Sequence, residues 1–268
     1  MKIKPIARGA RGFTLVELMI VVAIFGGVSA SAYAMYSVQQ RSYFLQEQLV
    51  EMQQNVRAFE FFFEKDLRMA GYDVFKEGNA GFLTAKPFEI AFTADLGRPR
   101  VSPVDCTGAG CDTMPDGQII SSPCTDCVVE TIRYALKDDP AVYTATGSPV
   151  GQVKDTKKTT SVQKTFNGTT STGAQNVVDS VQAIEFLYNM SDGTATTDPV
   201  ADGKSLADIR SVTVSLLMRT RSQLMGIRDE LPYFSASGTQ WGPFFDPYKR
   251  KLVITNIQCR NLSLQDQG

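Results

Sequence analysis

Residues 18–40 carry no charged side chain, and the stretch ahead of Phe13 carries Lys2, Lys4, Arg8 and Arg11 with no acid. An uncharged run of that length needs apolar surroundings along its whole length, and a helix is the element that satisfies its own backbone there. A helix over 13–36 spans about 36 Å, enough to cross a hydrocarbon core of about 30 Å. Because the leader carries four Lys and Arg residues while residues 37–56 carry only one, Arg41, the N-terminus stays in the cytoplasm and the rest goes outward. Ala30-Ser31-Ala32 and Ala32-Tyr33-Ala34 offer small-residue sites. The apolar stretch nevertheless exceeds the about 7–15 residues of a cleaved secretory signal.

Composition then bounds the region beyond the span. The 268 residues allow one smaller globular unit beside an extended element. Outside the leader the chain holds 23 basic against 28 acidic residues. No global basic field exists to hold phosphates, so nucleic acid is not an expected partner. Histidine is absent, which removes His-based triads, zinc helices and the commonest general base. No catalytic constellation, cofactor or metal site is expected, and the chain does not read as an enzyme.

Glu17 is the exception inside the apolar run. A carboxylate at mid-bilayer costs about 2.5–3.5 kcal/mol on insertion scales, so it implies a cationic partner in the same apolar layer. Cleavage after Gly12 would create one, the α-amine of Phe13. The segment Arg11-Gly12-Phe13-Thr14-Leu15-Val16-Glu17-Leu18 resembles the type III signal of type IV prepilins and type II secretion pseudopilins. The resemblance implies cleavage by a prepilin peptidase between Gly12 and Phe13 and N-methylation of Phe13. It also implies assembly in which Glu17 of one subunit meets the Phe13 amine of its neighbour. Residues 1–12 are then a leader that is removed.

The helical pattern continues past the span. No Gly or Pro occurs between Ser37 and Ala70, and Leu45, Leu49, Met52, Val56, Phe59, Phe63 and Leu67 form one apolar stripe. Gly71 is a natural stop, with Lys65 and Arg68 near the last turn. The spacing predicts one helix over 13–70, about 87 Å long. Its residues 52–67 should pack on the chain's own head and residues 13–40 on other subunits. Phe61 and Phe62 lie off the stripe, so the lower half is expected to be partly wrapped. Where major pilins often have a Pro, this chain has Ala34, and Gly26-Gly27 is the weak point of the membrane half.

From residue 71 onward short strands alternate with turns. Strands are expected over 88–93, 128–136, 181–188, 209–218 and 251–257, with Val212, Val214, Leu216 and Met218 alternating against Ser211, Thr213 and Ser215. Residues 144–176 and 189–205 read as long surface loops, the first of them within a loop-rich insertion at 94–176. The predicted class is α+β: a long N-terminal helix on an antiparallel β-sheet head, the pilin-like arrangement. The segments 66–72, 178–188, 209–217 and Lys249-Arg250-Lys251 with Arg260-Asn261 resemble PilW-type minor pilins. That resemblance implies a low-abundance subunit that helps start pilus assembly, at or near the tip. Its implied partners are other minor and major pilins, the prepilin peptidase, the inner-membrane assembly platform and membrane lipid. Its implied location is the bacterial inner membrane, then the pilus and cell surface. Two alternatives stay open: a J-like minor pseudopilin of a type II secretion system, and a fibre-borne adhesive or ligand-binding module.

Cys106, Cys111, Cys124 and Cys127 form C-x4-C and C-x2-C pairs. A head outside the cytoplasm favours disulfides, Cys106–Cys111 and Cys124–Cys127 being one of three connectivities, while a zinc site made of all four thiolates and free thiols stay open. Cys259 is expected as a buried small residue in the last strand. Asp192-Gly193, Asp198 and Asp202-Gly203 lack the spacing of an EF-hand and read as solvated turns. Gly108-Ala109-Gly110 has no Lys-Ser/Thr after it and makes no phosphate loop. Trp241 with Phe244, Phe245 and Tyr248 reads as core packing under a loop rather than an exposed contact patch.

Overall fold

The computed structural model describes residues 12–73, 80–95, 111–113, 119–121, 130–137, 159–166 and 174–265. It contains one long helix, α1 (Leu15–Arg68), and an antiparallel sheet, and it divides at Glu47/Gln48 into two units. In the first unit the described residues are helix from Leu15 onward, with large apolar side chains exposed throughout: Leu15 73%, Phe25 71%, Val28 62%. The helix runs unbroken through Gly26-Gly27. Ser31 and Ser37 donate back to the carbonyls of Gly27 (2.9 Å) and Ala34 (2.8 Å), satisfying hydroxyls that have nothing else to bond.

In the second unit the buried positions of α1 are Gln48, Met52, Val56, Phe59, Phe63 and Leu67; the last five belong to the stripe read from the sequence, whose Leu49 is half-buried, and Gln48 lies outside that stripe. Phe63 is the centre of this contact, with ring centroids 5.3 Å from Phe59, 5.1 Å from Tyr134 and 5.5 Å from Phe186. The helix stops at Arg68, two residues before the expected end, because its last turn tightens. Met69 and Ala70 N–H bond the carbonyls three residues back, Asp66 and Leu67. Gly71 follows at φ +75 and donates to Thr93 O at 3.0 Å. A Cβ there would also meet Leu262 at 2.5 Å, so both backbone and packing demand glycine.

The main sheet runs β1 (Phe82–Lys86), β2 (Glu89–Ala94), β5 (Glu130–Leu136), β6 (Thr160–Phe166), β7 (Gln175–Met190), β9 (Ile209–Arg219), β12 (Arg250–Gln258), every neighbour antiparallel. Short β8 (Ala195–Thr196) adds to β7, while β3 (Cys111–Thr113) with β4 (Ile119–Ser121) and β10 (Tyr233–Phe234) with β11 (Gln240–Trp241) form separate pairs. The five expected strands are present as β2, β5, β7, β9 and β12. Val212, Val214, Leu216 and Met218 face the helix and are at most 2% exposed.

Three differences have physical causes. Residues 144–176 were expected as loop, yet β6 lies inside that range with Thr160, Ser161, Val162 and Thr165 buried. Thr and Ser are common in loops, but Thr's β-branched side chain also fits a pleated surface, so composition alone misassigns it. β7 starts six residues early and carries Ser180 at φ 63 beside a register shift at Val181/Ala183, an irregularity that strict alternation does not reveal. Third, Phe61 and Phe62 are not wrapped: they are 63% and 47% exposed and pack edge to face on each other at 5.5 Å.

On the sheet face away from α1, fully buried Trp241 packs with Phe244, Ala183 and Leu217, as core rather than patch. Phe245 alone of that group faces solvent, at 55%. Cys259 is a free thiol, 1% exposed and just past the end of β12; burial pushes it up to about 12. Cys106, Cys124, Cys127 and Gly108-Ala109-Gly110 lie outside the described residues, as does the side chain of Cys111 in β3.

Candidate functional site

The predicted junction and the predicted acid lie together at the start of α1. Gly12 and Phe13 precede the helix; Phe13 is 84% exposed and a Cβ on Gly12 would meet nothing within 4 Å. Both residues flanking this peptide are exposed among the described residues. Glu17 lies in the first helical turn, where the helix dipole favours a carboxylate. Its N–H donates to Thr14 Oγ1 at 3.2 Å, and its Oε2 accepts from Thr14 N–H at 3.4 Å. These reciprocal bonds are a capping box, which satisfies orphan donors at the helix start. The sequence reading passes over Thr14, although T-x-x-E at 14–17 is the signature of this cap. Glu17 thus has a local role besides any partner, and its carboxylate is held at the helix tip beside the chain that would carry a free Phe13 amine.

Polar ties fix the lower half of α1 on the sheet. Tyr134 donates to Asp66 at 2.5 Å, and Lys164 pairs with the same carboxylate. Thr255 donates to Glu60 (2.7 Å), Ser222 N–H to Gln48 Oε1 (3.2 Å) and Asn261 to the Arg68 carbonyl (2.9 Å). A groove of about 670 Å³ opens beside Asp66, with Phe61, Met69 and Ile132 as its apolar wall and Lys65, Arg68 and Lys164 at its rim.

Three wholly or partly buried phenols set the alkaline limit of this unit. Burial first, and then the Asp66 carboxylate, raise Tyr134 far above its ordinary 10.0. Burial, then Asp198 and Glu89, raise Tyr188 likewise, and burial, then Asp229, raise Tyr233. Since the folded values lie above the unfolded 10.0, their contribution to stability is complete below that pH and is lost as pH climbs beyond it. The denaturation midpoint is expected to be level from about pH 7 to 9 and to fall above about 10. Phenolate absorbance from these three of the nine tyrosines should appear only with unfolding. Ionisation of all nine near pH 10 in the folded protein would refute this assignment.

The Asp192 to Asp202 segment uses its carboxylates internally. Asp192 accepts from Lys204 Nζ at 2.8 Å and Thr194 N at 2.9 Å; Asp198 accepts from Ala201 N at 3.1 Å, and Thr196 donates to Asp202. The bond from Lys204, followed by those from Thr194, holds Asp192 well below the usual carboxylate range. Among the described residues no group of three or more Cys, Asp or Glu is arranged to hold a metal ion.

Comparison with known proteins gives one family match, described as the prokaryotic N-terminal methylation motif, over residues 7–33. No curated protein matches the chain. Among solved structures, a type IV-like pilin from Thermus thermophilus aligns with 79% of this chain and 97% of its own, at 12% identity and a TM-score of 0.41. The leader, the Gly12-Phe13 junction and the capped, unburied apolar helix containing Glu17 thus lie in or beside a prokaryotic N-terminal methylation motif.

Proposed function

We propose that this chain is a minor pilin of a type IV pilus, of PilW type. It is held in the inner membrane by residues 13–36, processed between Gly12 and Phe13, methylated at Phe13, and assembled with other pilins through α1. The observation that carries the reading is the methylation motif heading a helix whose most apolar stretch is 0% buried. Such a surface is stable only in lipid or in a bundle of similar helices. Glu17 then exchanges bilayer for a bundle in which the Phe13 amine of a neighbour meets it. The role is structural: priming of assembly, with the head displayed at or near the tip.

The intact mass of the protein from cells with a prepilin peptidase tests this. The expected product begins at methylated Phe13. Its mass should lie about 4 Da below that of the reduced form, from two disulfides among the four clustered cysteines. A chain retaining residues 1–12, or cut near Ala32 or Ala34, would remove the assembly mechanism. Deletion of the gene should abolish surface fibres and twitching; blocked enzyme secretion with intact fibres would assign the chain to a secretion system instead.

A further inference from the structure

The two edges of the main sheet differ. The β1 edge is five residues long, irregular between Phe82 and Thr84, and turned back on β7. Tyr188 donates to Lys86 O at 2.9 Å, Phe186 N–H to Pro87 O at 2.7 Å, and the Leu206–Asp208 turn packs against it. The β12 edge is nine residues long and pairs with β9 in one unbroken register, without Pro or bulge. Thr220 N–H bonds Lys249 O, and Cys259 N–H bonds Arg210 O, so the ladder to β9 uses the odd-numbered residues of β12. The N–H and C=O of Leu252, Ile254, Asn256 and Gln258 therefore point away from the sheet, and no backbone partner among the described residues meets them.

Natural sheets blunt such an edge with brevity, Pro, a bulge or several charges. Of the two charged residues of β12, Arg250 is buried and only Lys251 is exposed, on the helix side with Thr255, and Ile254 is left 48% exposed. We infer that β12 receives an extended segment of a different polypeptide, which adds as a further strand.

Self-pairing is disfavoured by geometry. Antiparallel pairing of two β12 edges needs a twofold axis normal to the sheet, which points the Gln48 ends of the two α1 helices in opposite directions. Chains inserted the same way in one bilayer enter their heads from the same side; this step rests on the membrane-anchored reading above. A twofold along the strands would set each outward residue against itself, whereas parallel bonds slant to a residue's neighbours. Pairing of β12 with β1 of another copy is blocked because that edge is turned back. The incoming strand should alternate, with an acid beside exposed Lys251 on the helix side and an apolar side chain beside Ile254 on the other.

The test uses the full chain in membranes and fibres of its own cells, with a photo-crosslinking residue at exposed Gln258. Ile254→Pro removes only an outward N–H and a side chain that is not core, so β9 pairing survives. Asn256→Pro is the second variant, and fluorescence of Trp241 monitors folding in both. The expected result is crosslinks to one contiguous segment of another polypeptide, reduced at least about tenfold by either Pro variant with the fold intact. Crosslinks to β12 of a second copy, to lipid alone or to nothing would overturn the inference. So would a yield unchanged by folded Pro variants, or unfolding of both, since the outward direction of those N–H groups would then be wrong. The N-terminal mass of the same sample separates the readings: an unprocessed chain with intact crosslinks rejects the pilin pathway and leaves the strand partner standing.

Discussion

Glu17→Gln is expected to insert, be cleaved after Gly12, and then drop out of assembled fibres as completely as Glu17→Ala. The two substitutions separate the cap that the structure shows from the subunit pairing proposed above. Gln at the third helical position still reaches back to the Thr14 N–H, so the capping box survives in Glu17→Gln and is lost in Glu17→Ala. Neither can neutralise a neighbour's amine. Removing one member of a buried charge pair leaves the other stranded, a loss of about 3–5 kcal/mol at each subunit contact. That is enough to reduce incorporation more than about a hundredfold. Membrane insertion should improve slightly, because a carboxylate leaves the apolar layer. Thr14→Ala weakens the cap alone and should assemble. The measurement is the ratio of subunit in sheared fibres to subunit in membranes, with cleavage confirmed by mass. Normal incorporation of Glu17→Gln beside failure of Glu17→Ala would show that the carboxylate matters only as a cap.

The second large effect is on stability. Arg250→Ala is expected to destabilise the head by about 3–5 kcal/mol. The Arg250 side chain is 0% exposed. One nitrogen donates to Asp229 at 2.8 Å and to Asp246 at 2.7 Å, the other to the second oxygen of Asp246 at 2.7 Å and to Gln182 at 3.3 Å. Phe244 lies 3.7 Å from the guanidinium carbon and covers it. Burial alone would lower its pKa, but the hydrogen bonds it donates to Asp246 and Asp229 outweigh that and raise it. Without the guanidinium, two carboxylates face each other out of water, and the segment from residue 229 to 246 loses its attachment to β12. Arg250→Lys keeps the charge but cannot fork between both acids, so an intermediate loss is expected. Trp241, the single tryptophan, packs beside Phe244 and reports the transition by fluorescence. A denaturation midpoint unchanged in Arg250→Ala would show that the carboxylates find water by a local opening.

What was legible in the sequence followed the strength of periodic constraint. The stripe from Met52 to Leu67 must lie on one helix face, and Ile209–Arg219 alternates because one side is core; both were readable for that reason. Arg250 was not, since a Lys-Arg-Lys run looks like solvated charge. Only the loop that folds over the far side of the sheet turns its middle residue inward. The strand Thr160–Phe166 was hidden by composition, since hydroxyl side chains serve loops and pleats alike. At the N-terminus the methylation motif was plain from the residues, whereas the role of Thr14 was masked by the apolar run, although its T-x-x-E spacing carries the cap's signature.

The ties between α1 and the sheet also bear on timing. Glu60 waits for Thr255 and Arg68 for Asn261, partners separated from them by 195 and 193 residues. The helix can form as soon as its own turns exist, but the strands that cover Met52, Val56, Phe59, Phe63 and Leu67 are made much later. Closing loops of that length is slow compared with helix growth. For that interval a ribbon of apolar side chains, already in its final order, stands uncovered. The period between synthesis of the helix and completion of the sheet is therefore when this protein is most exposed to misassociation, and when a holding factor would have the most to protect.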